Sequence, residues 1–322
     1  ISVTFSETMD TTSVTTNTSN TSCSGTLQVS SDNFSTCVQM SSSPSVTNSN
    51  KTFTVDPTDN LSYSTTYKIR VTTGVKDSAG NTLSSQYETS SGFTSGGLFV
   101  AVGDVATILT SSDRTSWSSL SYGGTDNLQA VTYGNNTFVT VGDSGIIFTS
   151  SDGITWDNRT SSSGTSNVLQ GVTYGNSTFV TVGDSGTILT SSNGTTWDNR
   201  TSGRSTDLKG ITYGNSIFVA VGKTSAGNIS NSIGILTSSD GTSWDNRTHP
   251  TSSSDLHGAT YGNSTFVVTG ESGIIFTSSD GTTWTKRTSN VSSTFFGVTY
   301  GNSTFVIVTN GNYVLTSSNG TT

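Results

Sequence analysis

From about residue 97 onward, apolar residues fall in short alternating runs that return at a nearly constant interval. Each unit reads, in order, GVTYGN, TFVTVGDSG, IIFTSSDGTTW and DNRTSS, then a link of variable length. Period-two alternation places successive side chains on opposite faces of a strand, so each run reads as a strand. Three strands per unit are plain, and a fourth begins at the tryptophan. Trp117, Trp156, Trp197, Trp244 and Trp284 lie 39, 41, 47 and 40 residues apart. Repeats of about 40 residues with four strands each are the signature of propeller blades. The expectation is an all-β chain whose residues 97–322 form a β-propeller of about six four-stranded blades. Its units lie around 97–127, 128–167, 168–207, 208–255, 256–294 and 295–322.

The turns between these strands carry their own signal. Asp152-Gly153, Asn193-Gly194, Asp240-Gly241, Asp280-Gly281 and Asn319-Gly320 sit between alternating runs, the strongest short-range hairpin signature, and predict type I′ turns. Asp113-Arg114 departs from the pattern, so the first of these turns is expected to be looser. The tryptophan after each turn is expected to start the outer strand and wedge its ring between blades, a burial that stabilises by about 1.5–3 kcal/mol or more. The first unit lacks a good VTYGN strand, and GFTSG (92–96) fits the preceding region as well as this one. The last unit stops at LTSSNGTT, one residue before the expected tryptophan, and the chain opens at Ile1 inside a strand-like run. Both ends read as those of a processed or partial piece, with closure of the ring partly outside it.

Residues 1–95 hold a different pattern. ISVTF, TLQVSS, TFTV and TYKIRVTT alternate and are separated by Ser/Thr/Asn/Asp clusters, as in an antiparallel β-sandwich. Within this region, ISVTFSETMD and YKIRVTTGVKDSAGNTL resemble the bacterial Ig-like module of surface-layer and other secreted surface proteins. The resemblance covers nearly the whole region and implies an extracellular spacer or display module without catalysis. Cys23 and Cys37, the chain's two cysteines, favour one disulfide and an oxidising compartment. Closing so short a loop would add about 3 kcal/mol. The alternative is a pair of buried free thiols.

The phrase S-S-D-G-x-T-W resembles the Asp-box of sialidases, sortilin-like receptors and photosystem assembly factors, with one residue fewer between Asp and Gly. In those families the box is a stabilising turn away from any active site, so the resemblance supports a propeller and not an activity. A sialidase would need a converging arginine cluster and a Tyr/Glu pair. Here Arg159, Arg200, Arg247 and Arg287 recur at one blade position, as do Tyr133, Tyr174, Tyr213, Tyr261 and Tyr300 at another. Side chains related by blade rotation point to separate places, so no enzyme is expected. Asp104, Asp143, Asp184 and Glu271 follow VG in their units. They supply too few oxygens per blade for calcium, which takes 6–8, and read as solvated turn carboxylates. No metal and no cofactor is expected.

Charge narrows the partners further. Only 11% of residues are charged and the net charge is −8, which argues against nucleic acid and anionic membranes. No apolar run is long enough to insert in a membrane. About sixteen Asn-x-Ser/Thr sites leave glycosylation open. Length variation falls on the turn between the second and third strands and on the link to the next blade, which share one face. The largest insertion is Lys223 to Gly234, and one of the variable links, HPTSSSD, includes His249 and Pro250. Lys223, Asn228, Asn231, His249 and Asp255 are the candidate interaction residues on that face, since loops on a rigid scaffold commonly carry binding. The reading is a non-enzymatic, secreted, cell-surface structural protein for adhesion, display or assembly, with a filament subunit as its more specific form. Its partners would be other copies of itself or cell-surface and glycan partners. The competing reading is a lectin-like or sialidase-like glycan-active propeller.

Overall fold

The computed structural model describes all residues except 60, 63–64, 122–123, 224–233, 249–253, 312 and 322. The described residues form strands and short 3-10 turns, with no α-helix among them. The chain divides into two compact units, Ile1–Phe99 with Ser112–Thr115, and Val100–Ser111 with Ser116–Thr322.

In the first unit, Ser2–Thr4 and Ser45–Thr47 flank Thr52–Thr54 in one antiparallel sheet. Thr66–Val71 is the hub of the other, pairing with Leu27–Ser30, Tyr87–Glu88 and Phe93–Thr94. Val29, Met40, Phe53, Tyr67 and Val71 are buried in one cluster, the core of an Ig-like sandwich. Phe93–Thr94 pairs with Thr66–Tyr67, so the GFTSG segment belongs here and not to the first blade. Cys23 and Cys37 are joined in a disulfide, which removes the free-thiol alternative.

The second unit is the propeller, built of six sheets in chain order. The second blade shows the plan: Leu128–Gly134 innermost, then Thr137–Gly142, Ile147–Ser150 and Asp157–Asn158, all antiparallel. The third, fourth and fifth blades repeat it, with inner strands Leu169–Gly175, Leu208–Gly214 and Leu256–Gly262. Among the described residues the first sheet (Phe99–Gly103, Thr107–Ser111, Ser118–Ser121) has no inner strand. The sixth (Phe295–Gly301, Thr304–Thr309, Val314–Ser317) shows three strands among the described residues, corresponding to the inner three of the other blades.

Alternation sorts each blade's side chains between its two neighbours. In the third blade, Phe179 and Trp197 pack on Val139, Val141 and Ile147 of the second. Val180, Val182 and Ile188 of that same third blade face Phe218 and Ala220 of the fourth. Trp156, Trp197 and Trp284 are buried, and Trp244 is half-buried, as wedges against the preceding blade. A second wedge lies at the end of each inner strand. A Cβ built on Gly134, Gly175, Gly214 or Gly262 would fall 2.1 Å from the ring of Tyr174, Tyr213, Tyr261 or Tyr300. Only a bare backbone lets those tyrosines seat.

The turn chemistry differs from the expectation. The tight two-residue turn lies in YGNST, where Asn176 (φ 46°) and Ser177 (φ 57°) are both left-handed between Gly175 and Thr178. That is the type I′ geometry. The Asp-Gly segments form a wider loop instead, residues 151–156 in the second blade, in which only Gly153 has positive φ (73°). A serine and an aspartate organise it. Ser150 Oγ accepts the Gly153 N–H (2.7 Å), and Asp152 Oδ1 accepts the N–H groups of Ile154 (2.8 Å) and Thr155 (2.7 Å). The Trp156 indole N–H then donates to Gly153 O at 3.0 Å. Trp197, Trp244 and Trp284 do the same to Gly194, Gly241 and Gly281 at 2.9–3.0 Å. Asp240 and Asp280 repeat the role of Asp152. The first loop keeps the Asp contact, Thr115 N–H to Asp113 Oδ1 at 2.8 Å, but Arg114 takes the left-handed position (φ 68°) that glycine holds elsewhere. That conformation carries a steric cost for any residue with a Cβ.

Candidate binding face of the propeller

The repeat breaks at one position of the inner strand, immediately after its first leucine or phenylalanine. The residues there are Gln129, Gln170, Lys209, His257 and Phe296. Pairing explains why this position is free to vary. In every inner strand the register slips at that residue, as between Leu128 and Ala130, so it sits on a β-bulge outside the ladder. Bulges re-aim a side chain and are frequent beside functional sites. The next residue in the last four inner strands is Gly171, Gly210, Gly258 or Gly297, where consecutive inner strands close up: a Cβ on Gly210 would lie 2.6 Å from His257 O. The bulged side chains therefore stand side by side at the inner edges of successive blades.

The loops join them there. The residue following each second strand donates its N–H to the link that precedes its own inner strand: Asp143 to Asn127 O, Asp184 to Val168 O, Lys223 to Asp207 O and Glu271 to Asp255 O, all at 2.8–2.9 Å. The turn between second and third strands, the link and the bulge thus lie on one face. Gln129 and Gln170 each donate an amide N–H to the carboxylate of their own blade, Asp143 and Asp184, at 2.9 Å. Lys209 reaches Asp184 of the preceding blade at 3.3 Å and Asp207 at 3.6 Å. Lys223 pairs with Asp207 at 2.8 Å, and this bond leads the effects that hold the Asp207 carboxyl below its usual range. The His257 ring packs at a tilt of 52° against Phe296, with ring centres 5.8 Å apart. Its Nε2 is buried without a hydrogen-bond partner among the described residues. Burial lowers the His257 pKa, against the pull of Glu271 and Asp255. Phe296 is 56% exposed. The face thus passes from amide and carboxylate through ammonium to imidazole and phenyl.

Beside it lies a polar cavity of about 570 Å³ lined by Asn167, Thr187, Arg200, Ser202 and Arg204. Arg204 also breaks the repeat. Its guanidinium donates to Thr206 Oγ1 (3.2 Å), Asn246 Oδ1 (3.4 Å) and Lys223 O (3.4 Å), and burial lowers its pKa.

Of the residues expected on this face, Lys223 lies on it as an ion pair with Asp207, and Asp255 anchors the turn at Glu271. Asn228, Asn231 and His249 lie outside the described residues. The periodic arginines stay in their own blades. Arg159, Arg200, Arg247 and Arg287 donate to Thr149, Thr190, Thr237 and Thr277 of the adjacent third strand, and the first three pair with Asp157, Asp198 and Asp245. They form no common clamp. Among the described residues no three His, Cys, Asp or Glu side chains are grouped to hold a metal ion. Reading the sequence for its constant positions passed over the bulge series. The signal was present as one column that takes four residue types over five units while its neighbours vary little.

Comparison with known proteins agrees with this architecture. Residues 1–95 match the bacterial Ig-like domain, and residues 198–322 match the DUF6242 beta propeller domain. No curated protein matches the chain in sequence. A structure of YCF48 bound to D1 peptide superposes with a TM-score of 0.54 at 18% identity, over 69% of this chain and 74% of that one. YCF48 from Cyanidioschyzon merolae gives 0.51 at 16%, over 69% and 79%. A chain of the nidogen/laminin complex gives 0.51 at 12%, over 69% and 90%. At these identities the likeness is one of fold. The chain combines an Ig-like sandwich with a β-propeller, a combination consistent with a cell-surface protein. The Ig-like domain and the disulfide are compatible with an extracellular location.

Proposed function

We propose that this is a non-enzymatic, extracellular adhesion or display protein whose propeller grips a polypeptide segment of its partner across the bulge face. The observation that carries the reading is the bulge series, where five nearly identical blades present five inner-edge positions bearing four different chemistries. A scaffold with no ligand on that face has no use for such a sequence of groups at one unpaired, outward position. A polypeptide suits it because donor, acceptor, charge and ring surfaces follow one another over the width of several blades. Two of the similar structures, YCF48 with D1 peptide and the nidogen/laminin complex, hold a peptide or protein partner, which lends the reading support.

The test is selection from a random-peptide display library against the 322-residue chain, with a glycan array in parallel. Selected peptides are expected to lose at least tenfold in affinity with Lys209→Ala combined with His257→Ala, both substitutions lying outside the blade–blade wedges. Peptides indifferent to both changes would defeat the reading. Glycans that bind instead, with the same sensitivity, would establish the lectin alternative.

A further inference from the structure

We propose that Arg204 is the seat for an acidic side chain, aspartate or glutamate, of the polypeptide that binds the bulge face; the inference rests on the polypeptide reading above. Arg204 owes its place to a repeated loop. In three links a serine hydroxyl accepts the N–H of the residue two positions on, at 3.1–3.4 Å: Ser163 from Thr165, Ser202 from Arg204 and Ser289 from Val291. Between them stands Gly164, Gly203 or Asn290, each with positive φ. The same loop thus presents threonine, arginine or valine, and only the arginine bears a charge.

That charge is not neutralised within the chain. The guanidinium donates to a hydroxyl, an amide oxygen and a main-chain carbonyl, all neutral acceptors, at 3.2–3.4 Å. Arg159, Arg200 and Arg247 each hold an aspartate at 2.8–3.0 Å, whereas among the described residues no carboxylate pairs with Arg204. Residues 224–233 and 249–253 contain no Asp or Glu. A partly desolvated cation without a counter-charge is costly. Of its five N–H donors three are engaged, leaving one on each Nη. Those two suit the two oxygens of one carboxylate, the strong paired geometry of arginine.

Contacts tie this position to the bulge face. Lys223, whose carbonyl accepts from Arg204, donates its own N–H to Asp207 O, and the Asp207 carboxylate pairs with the bulge residue Lys209 at 3.6 Å. Both lysines are already committed, Lys209 to Asp184 and Asp207, and Lys223 to Asp207. Arg204 is also a wall of the polar cavity of about 570 Å³, which gives an incoming group room. Elsewhere on the face the turns and links carry Asp143 in the second blade and Asp255 with Glu271 in the fifth. A ligand carboxylate would be repelled there. An acidic residue therefore has one place to sit, and seating it sets the register of the bound segment across the blades.

The test takes peptides selected from the random library, made with amidated C-termini so that side chains carry their only carboxylates. They are titrated into the 322-residue chain by fluorescence polarisation. The peptides are expected to share an Asp or Glu whose change to Asn or Gln weakens binding at least tenfold. Arg204→Thr, which installs the residue of the second blade's loop, should weaken the acidic peptide at least tenfold and its amide counterpart less than twofold. Misfolding would weaken both alike. Arg204→Lys should restore part of the loss. Peptides that respond to Lys209→Ala with His257→Ala but not to Arg204→Thr, or that need no acidic residue, would overturn the seat and leave the polypeptide reading standing. Peptides that depend on Arg204 and on their acid but ignore Lys209 and His257 would uphold the seat and defeat the bulge reading. Failure to select any binding peptide would overturn both.

Discussion

Trp156, Trp197, Trp244 and Trp284 are each fixed twice, by the N–H on the glycine carbonyl of the loop before it and by the ring on the preceding blade. Trp197→Ala would remove both and leave a cavity between the second and third blades, at a cost of about 3–5 kcal/mol. Trp117 has no preceding blade and is 43% exposed, so Trp117→Ala should cost below about 1 kcal/mol. Denaturant unfolding of the two variants checks the contrast. The loop carboxylates make a second prediction. Backbone N–H groups, led by Ser243 on Asp240 and Thr283 on Asp280, hold both carboxyls well below the usual range. A depressed folded pKa gives stability that is complete above the unfolded value, about 3.9, and is lost as pH falls toward the folded one. Asn193 makes the same two backbone bonds without a charge, accepting from Thr195 and Thr196. Asp240→Asn with Asp280→Asn should therefore narrow the difference in unfolding free energy between pH 7 and pH 3. An unchanged difference would show that the acid sensitivity arises elsewhere.

At the scale of the element, the glycine that ends an inner strand decides whether two blades can close. A Cβ on Gly214 would enter the ring of Tyr261, whereas a Cβ on Gly301 meets nothing within 4 Å. Gly214→Ala should cost about 1–3 kcal/mol by forcing the blades apart, and Gly301→Ala should be neutral within about 0.5 kcal/mol. Thermal unfolding of the pair reads the difference. This glycine stands in every YGN motif, yet its function was illegible in the sequence because the tyrosine it meets lies one repeat away. Strands, repeat length and the tryptophan wedge were legible because they follow from period and spacing. The turns were misassigned for a local reason: Asp-Gly is a I′ signal only when two residues connect the strands. Here a serine hydroxyl and an aspartate carboxylate stabilise a longer loop, leaving the I′ geometry to Asn-Ser. The bulge escaped because a one-residue slip leaves no mark in hydrophobic periodicity. The variable column at Gln129, Gln170, Lys209, His257 and Phe296 marked it instead.

Across the propeller, stability is a matter of neighbours. Each interior blade is covered on both faces, and its residues at the covered positions are almost wholly buried, as with Val141, Val182 and Val221 at 0% exposure. The matching residue of the sixth blade, Val308, is 48% exposed, and Val314 reaches 66% where Ile147, Ile188 and Ile235 are at 0%. Among the described residues no strand pairing joins the first sheet to the sixth. An array whose members interact chiefly with the next one behaves as a sum of unit and interface terms. Local opening is then cheapest where one interface is missing. Amide exchange should be slowest in the second strands of the third and fourth blades, Thr178–Gly183 and Ile217–Gly222, and fastest at Phe99–Gly103 and Val314–Ser317. Uniform protection along all six sheets would mean that the ends are covered in solution and that the array unfolds as a closed unit.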